Sequence, residues 1–385
     1  MGAMKIEQVE VFILSDRNTG ARIDASFVDG LAFVRLRTSD GIVGISEIFA
    51  VPPKVAQAVL DGPDSLFGAM LIDQEFTHPR DIWKKLYENR LFDSRRGWLI
   101  MCLGGVDVAL WDIYGKKKGS PVWQLMREGD QPIDTPGDKA MPYCTVVSDQ
   151  WDRESVLRQQ LERVVRLREA GYRAFKIEPI QQEAQTIIEL TKLVRNELDV
   201  DDILCVDVVY SWNSVEEALK VIEEIAEYNI MFVETPFSID RIDLYSQLTA
   251  RSCIPIAAGE YTTTRWEFLH LMNEGGVSVL QPYMTTCGGL TEAARIVDIA
   301  QQASKLVCPG NWSTHVLGTA TLHIAAGSPI CPVYELAPTE IYGSILRKAL
   351  EELAPPVVDG TVFVPNSPGI GFNFPDELEA SFSVN

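Results

Sequence analysis

From about residue 140 onward, short apolar runs alternate with longer segments whose apolar positions recur every three to four residues. The short runs are YCTVV (143–147), AFKIE (174–178), ILCVD (203–207), IMFVE (230–234), IPIAAG (254–259), VSVLQ (277–281), KLVCP (305–309) and CPVYEL (331–336). Runs of this length, bounded by turn residues, predict buried strands. The segments 154–169, 182–198, 214–228, 244–252, 265–274 and 291–304 predict the helices that separate most of them. In NSVEEAL, Asn213 or Ser214 followed by Glu216 or Glu217 marks a helix start. Eight strand-then-helix repeats at roughly 25 to 30 residues each predict a closed (β/α)8 TIM-type barrel. An open sheet would need longer or irregular connections.

The first part of the chain reads differently. A strand is predicted over 5–13, and LAFVRLRTSDGIVGISE (31–47) alternates on both sides of Ser39-Asp40-Gly41, a hairpin signal. Helices are predicted near 53–60, 79–91 and 98–114. The last is apolar nearly all round and ends in three lysines and Gly119, which suit the carbonyl end of a helix. Such a helix is buried, so it is expected between two parts of the protein or between subunits. The expected organisation is an N-terminal α+β capping domain over 1–135 and a barrel over 136–355. A Pro/Gly-rich segment over 356–385, without a helical pattern, is expected to pack back on the cap.

Composition narrows the function. The 385 residues are 46% hydrophobic and 23% charged, as in ordinary globular proteins. A net charge of -20, from 54 acidic and 34 basic residues, opposes nucleic-acid and anionic-membrane partners. An anionic small substrate remains compatible, because a bound cation reverses the local field. The seven cysteines are scattered, without metal-ligand spacing, as expected of reduced thiols. No secretion-signal pattern and no 18-residue apolar stretch are read, so the expected location is the cytoplasm.

Charge at the strand ends carries the candidate chemistry. In a barrel the active site lies at the carboxyl ends of the strands. There the sequence places Lys176 and Glu178, Asp207, Glu234, Glu260 and Glu335. Asp207, Glu234 and Glu260 follow one another at intervals of 27 and 26 residues, one per β/α unit. Three neighbouring carboxylates either make separate rim ion pairs or share a hard cation, and Mg2+ suits three carboxylates with waters and a chelating substrate. Beside such an ion Lys176 would lose its proton more readily and could take the proton α to a substrate carboxylate.

The chain resembles the enolase superfamily, in particular its mandelate racemase and muconate-lactonizing enzyme branch. The resemblance rests on VRLRTSDGIVGISE, ALWDIYGKKKGSPVWQLM, GYRAFKIE, FVETPF, PIAAGE, QPYMTTCGGLTEA and YELAP, and it covers nearly the whole chain. It implies a cap whose loops, here 16–28 and 49–58, select the substrate. It also implies metal ligands at Asp207, Glu234 and Glu260 and a homo-oligomer, a dimer or a multiple of dimers.

The acid–base positions depart from that family. Its Lys-x-Lys reads Lys176-Ile177-Glu178: Lys176 is kept and the second lysine is replaced by Glu178. The aspartate position after the sixth strand holds Tyr283, and the histidine position after the seventh holds Gly310, with His315 five residues on. Glu335 is retained. Racemisation, which needs a base on each face, is therefore disfavoured. The expected activity is dehydration of a sugar acid, with isomerisation or cycloisomerisation through the same enolate, or a non-catalytic metal-binding role, as alternatives. Lys176, Glu178, Tyr283, His315 and Glu335 are the candidates for the chemistry. Glu178 would be either a proton-transfer group or a partner that keeps Lys176 charged.

Overall fold

The computed structural model describes residues 3–16, 30–127, 137–337 and 344–384. The N-terminal part is an antiparallel sheet carrying helices. Strands β1 (Met4–Leu14), β2 (Leu31–Thr38), β3 (Val43–Ile48) and β4 (Glu75–Phe76) lie in the order β3-β2-β1-β4. The β2–β3 hairpin turns at residues 39–42, as the alternation predicts. Helices α1 (Pro53–Leu60), α2 (Gly68–Leu71), α3 (Pro79–Asn89), α4 (Trp98–Lys118) and α5 (Val122–Arg127) follow or interleave with the strands. The predicted cap loop 16–28 lies outside the described residues except for Asp16. The loop predicted over 49–58 is a short turn that runs into α1.

By length and composition alone α4 could cross a membrane, but its apolar surface is buried within the protein. Two glycines let it lie between cap and barrel. A Cβ on Gly105 would fall 2.1 Å from Ile48 of the cap sheet, and one on Gly104 would fall 2.4 Å from the Thr285 carbonyl of the barrel. Gly119 ends the helix in the left-handed conformation (φ 68°).

After β5 (Lys139–Ala140), eight parallel strands follow: β6 (Pro142–Val146), β7 (Ala174–Ile177), β8 (Ile203–Asp207), β9 (Ile230–Glu234), β10 (Ile256–Ala258), β11 (Val279–Leu280), β12 (Leu306–Val307) and β13 (Tyr334–Leu336). Each is followed by a helix: α6 (Arg153–Glu169), α7 (Ala184–Glu197), α8 (Val215–Ile225), α9 (Ile242–Thr249), α10 (Thr264–Asn273), α11 (Leu290–Gln302), α12 (His315–Ala326) and α13 (Ile345–Glu351). The sheet closes on itself: Val307 N–H donates to Ile330 O and Glu335 N–H to Pro309 O, both at 2.9 Å. The fold is the (β/α)8 barrel with a capping domain that the strand count predicts.

One buried side chain from each strand, or from the residue next to it, fills the barrel: Tyr143, Ala174, Cys205, Phe232, Ala257, Val279, Cys308 and Val333. Strand side chains alternate with period two. The next inward layer is therefore Thr145, Lys176, Asp207, Glu234, Gly259, Gln281, Gly310 and Glu335, an apolar plug carrying a polar floor.

The C-terminal segment corrects one expectation. Strands β14 (Val357–Val358) and β15 (Thr361–Phe363) join β5, but a helix, α14 (Asp376–Phe382), also forms. It is short, begins after Pro375 and carries Asp376, Glu377 and Glu379 in its first turn, where the helix dipole favours acids. Its Glu379 pairs with Arg35 of the cap sheet, Phe374 packs on Phe12 and Phe33, and Ser15 N–H donates to Phe382 O.

Candidate active site

Lys176 is the hub of the polar floor and is fully buried. Its Nζ lies 2.7 Å from Glu335 Oε1, 2.9 Å from Glu234 Oε1, 3.3 Å from Asp207 Oδ2 and 3.7 Å from Glu178 Oε1. The Tyr143 ring sits beneath it, with its centroid 5.4 Å away. Burial opposes the ammonium, but Glu234, Glu335, Tyr143 and Asp207 outweigh it and hold Lys176 well above the ordinary lysine range. Its nearest partners are thus Glu335 and Glu234, and Glu178 stands farther off. Glu178 shares the inward face with Lys176, as period two requires. Burial and then the Asp207 charge push its carboxyl well up.

Each remaining carboxylate is held by its own donors. Asp207 Oδ1 accepts from Val209 N–H (2.9 Å) and Thr235 Oγ1 (2.6 Å), which leaves Oδ2 facing Lys176. This clasp strains the backbone: the β-branched Val209 (φ 44°) and Thr235 (φ 43°) both sit in the left-handed region. Glu234 Oε2 accepts from Gln281 Nε2 at 2.6 Å. Tyr210 donates its phenol proton to Glu260. Burial and the Asp207 charge push the Glu260 carboxyl up to about 7.

Glu335 is fully buried and takes five donors. Oε1 accepts from Thr145 Oγ1 (2.6 Å), Trp312 Nε1 (3.0 Å) and Lys176, and Oε2 accepts from Tyr283 Oη (2.6 Å) and Asn311 N–H (3.0 Å). Burial works against the charge, but Lys176 and these hydrogen bonds keep the Glu335 carboxyl below its usual range. Burial and the Glu335 charge push the Tyr283 phenol well above its ordinary value, so it stays protonated.

The departure at the Asp–His positions has a spatial reason. A Cβ on Gly310 would fall 1.8 Å from the Tyr283 ring. The tyrosine occupies the volume that a side chain on the seventh strand would need. His315 is not brought to this cluster. It opens α12, its Nε2 lies 3.0 Å from Thr319 Oγ1, its ring faces Phe372, and burial alone lowers it to about 4. It lines a separate cavity of about 180 Å3 with Tyr172, Tyr334 and Glu351. His323 is packed, between Trp123 N–H and Ile370 O.

The donor set of Asp207, Glu234 and Glu260 consists only of hard carboxylate oxygens on consecutive strands. Among the described residues, five buried or near-buried carboxyl groups (Glu178, Asp207, Glu234, Glu260, Glu335) surround the one ammonium of Lys176, and that excess fits a divalent cation. The three are not preassembled, however. Among the described residues no group of three His, Cys, Asp or Glu side chains is gathered closely enough to hold a metal. Lys176 stands between Asp207 and Glu234, and Glu260 is bonded to Tyr210.

Sequence reasoning missed Thr145, Gln281, Asn311 and Trp312. Thr145 and Gln281 were within reach: each lies two residues beyond a member of the apolar plug, on the inward face. Asn311 and Trp312 lie in a loop without periodicity and gave no such signal.

The chain is 27% identical over 384 residues to the arabinonate dehydratase of Saccharolobus solfataricus (96% of this chain, 97% of that one). It is 28% identical over 365 residues to the D-galactarolactone cycloisomerase of Agrobacterium fabrum (91% and 90%). The fold matches the crystal structure of the 3,6-anhydro-D-galactonate cycloisomerase from Zobellia galactanivorans, with a TM-score of 0.83 at 24% identity, covering 99% of this chain and 100% of that one. Residues 8–127 match the mandelate racemase / muconate lactonizing enzyme N-terminal domain and residues 158–378 the enolase C-terminal domain-like family. The chain therefore belongs to the mandelate racemase/muconate lactonizing enzyme branch of the enolase superfamily.

Proposed function

We propose that the protein is a Mg2+-dependent sugar-acid dehydratase, which removes the proton α to a carboxylate and expels the β-hydroxyl. The observation that carries this reading is the asymmetry of the barrel mouth: an amine on one wall, a protonated phenol on the other, and surplus carboxylates between. Asp207, Glu234 and Glu260 would hold the cation, which supplies electrostatic stabilisation of the charge that develops on the substrate carboxylate. Lys176, held charged by Glu234 and Glu335, would take the α-proton as the free amine once a cation on these carboxylates disfavours its charged form. Glu178, beside it with its carboxyl pushed up by burial, relays protons to and from the lysine. Tyr283 donates to the departing hydroxyl after its O–H rotates away from Glu335, which otherwise orients it. The C–H and C–O bonds break, the C=C bond forms and water leaves. The enol then becomes the 2-keto-3-deoxy acid.

A phenol that stays protonated is a poor second base, which supports elimination over racemisation. The dehydratases among the relatives, arabinonate and D-galactonate dehydratase, support the same class. The D-galactarolactone cycloisomerase among them favours cycloisomerisation as the second reading. The test is a panel of pentonates, hexonates and aldarolactones with Mg2+ in D2O, followed by proton NMR. A 2-keto-3-deoxy product is expected. A ring-opened or ring-closed isomer would select the second reading. Absence of both product and α-proton exchange across the panel would refute both.

A further inference from the structure

The loop over 310–314, between β12 and α12, carries two of the five donors to Glu335: the Asn311 N–H and the Trp312 indole, both at 3.0 Å. Its other end is held from the capping domain. Glu47, in β3 and 1% exposed, accepts from Thr314 N–H at 3.0 Å and Thr314 Oγ1 at 2.6 Å, both on Oε2. Among the described residues, buried Oε1 of Glu47 has no hydrogen-bond partner. Arg347 of α13 supports the same loop, donating from Nη1 to Trp312 O (3.4 Å) and Ser313 O (3.3 Å). Its charge also offsets part of the burial that pushes the Glu47 carboxyl up. A buried cap carboxylate with half of its acceptor capacity unused is costly as packing alone. Among the described residues its side-chain bonds go to Thr314, two residues from the indole that grips Glu335.

We infer that Glu47 is a positioning residue for the barrel site: by holding Thr314 it sets the Asn311–Trp312 segment on Glu335, and so ties the chemistry to docking of the cap. The inference rests on the proposed role of Glu335 for its effect on rate, but its geometric part can be read without activity. Without Glu47 the loop keeps Arg347 but loses its fixed end. Glu335 then loses donors, and the orientation of Tyr283 and Lys176 loosens with it.

The experiment measures hydrogen exchange of 15N-labelled indole N–H groups in the full chain, with Trp312→Phe to assign the signal. The references are Trp83, whose Nε1 donates to Gly288 O at 2.6 Å, and Trp111, whose Nε1 donates to Thr291 Oγ1 at 3.0 Å, both at the other cap–barrel contact. In Glu47→Ala the Trp312 indole should exchange about tenfold faster or more, the scale of one hydrogen bond to a charged group. The two references should hold. Glu47→Gln, which can still accept from Thr314, should restore Trp312 to within about threefold. An unchanged Trp312 signal in Glu47→Ala would overturn the inference. So would equal acceleration of all three indoles, because Glu47 would then merely hold the cap. With an acid that the enzyme turns over, kcat should fall about tenfold in Glu47→Ala while KM moves by less than about twofold. A faster-exchanging Trp312 with kcat intact would also refute positioning. A wild-type protein that acts on no acid removes the dehydratase reading and leaves the indole result to decide this one.

Discussion

Replacing Lys176 with Met removes the one ammonium around which the polar floor is built and keeps a similar side-chain volume. Glu335 and Glu234, at 2.7 and 2.9 Å from Nζ, then lose their charge partner in a fully buried setting. Breaking a buried ion pair by removing one partner costs about 3–5 kcal/mol. Unfolding entropy scales to about 0.8 kcal/mol per degree for a chain of this length, so Tm should fall by about 4–6 °C at pH 7 in the absence of metal. The pH dependence fixes the cause. In the wild type the Glu335 carboxyl is lowered, so its contribution is present above the unfolded carboxyl value and is lost as pH falls through the folded one. Without Lys176 it should be raised instead, and the folded state is then penalised increasingly as pH rises above the unfolded value. The variant should therefore recover near pH 5 the part of its deficit that comes from this penalty, while the part that reflects the lost wild-type contribution remains, and its α-proton exchange should be abolished. Thermal melts at pH 5 and pH 8, with EDTA and with Mg2+, make the comparison. A Lys176→Met protein with wild-type stability at both pH values would show that the carboxylates do not depend on the ammonium. Full-rate exchange would remove Lys176 from the chemistry.

Asp107 of α4 accepts from Thr291 N–H and Oγ1 at 2.7 Å each, and burial raises its carboxyl to about 7. A raised carboxyl gives stability that is present below the unfolded value and lost as pH rises toward 7. Asp107→Asn should flatten that slope, by up to about 1.4 kcal/mol per pH unit, in urea titrations between pH 4 and 7; an unchanged slope would contradict it. Gly310→Ala should displace Tyr283 and cost about 1–3 kcal/mol with a sharp loss of activity, and wild-type stability and activity in that variant would refute the contact. Asp207→Asn should weaken Mg2+ binding about tenfold or more by calorimetry, as loss of a charged ligand does; unaltered affinity would place the metal elsewhere. Light scattering should report a dimer or a multiple of dimers at micromolar concentration, and the mass of a single chain would refute that assembly.

What the one-dimensional pattern determined was periodicity. Eight apolar runs with helices between them required the barrel, and alternation required Lys176 and Glu178 on one inward face. Apolarity on every side of α4 required a buried place for it between two parts of the molecule. The charges at consecutive strand ends could be read for the same reason, because neighbours in the strand order are neighbours in the sheet. Partner choice across the barrel was decided only by the closed fold. Thr145 and Glu335 are 190 residues apart, and Glu47 and Thr314 are 267 apart. No local pattern encodes such pairs, because closure of the sheet and docking of the cap bring them together. His315 shows the converse. Its position five residues after the histidine site made it a candidate, yet a helix start turned it toward the outer shell. At Gly310 the absence of a side chain could be read from the sequence, but its meaning was not legible until the Tyr283 ring was found filling the space. Alternation tells which way a side chain points; what it meets there depends on how the other elements pack around it.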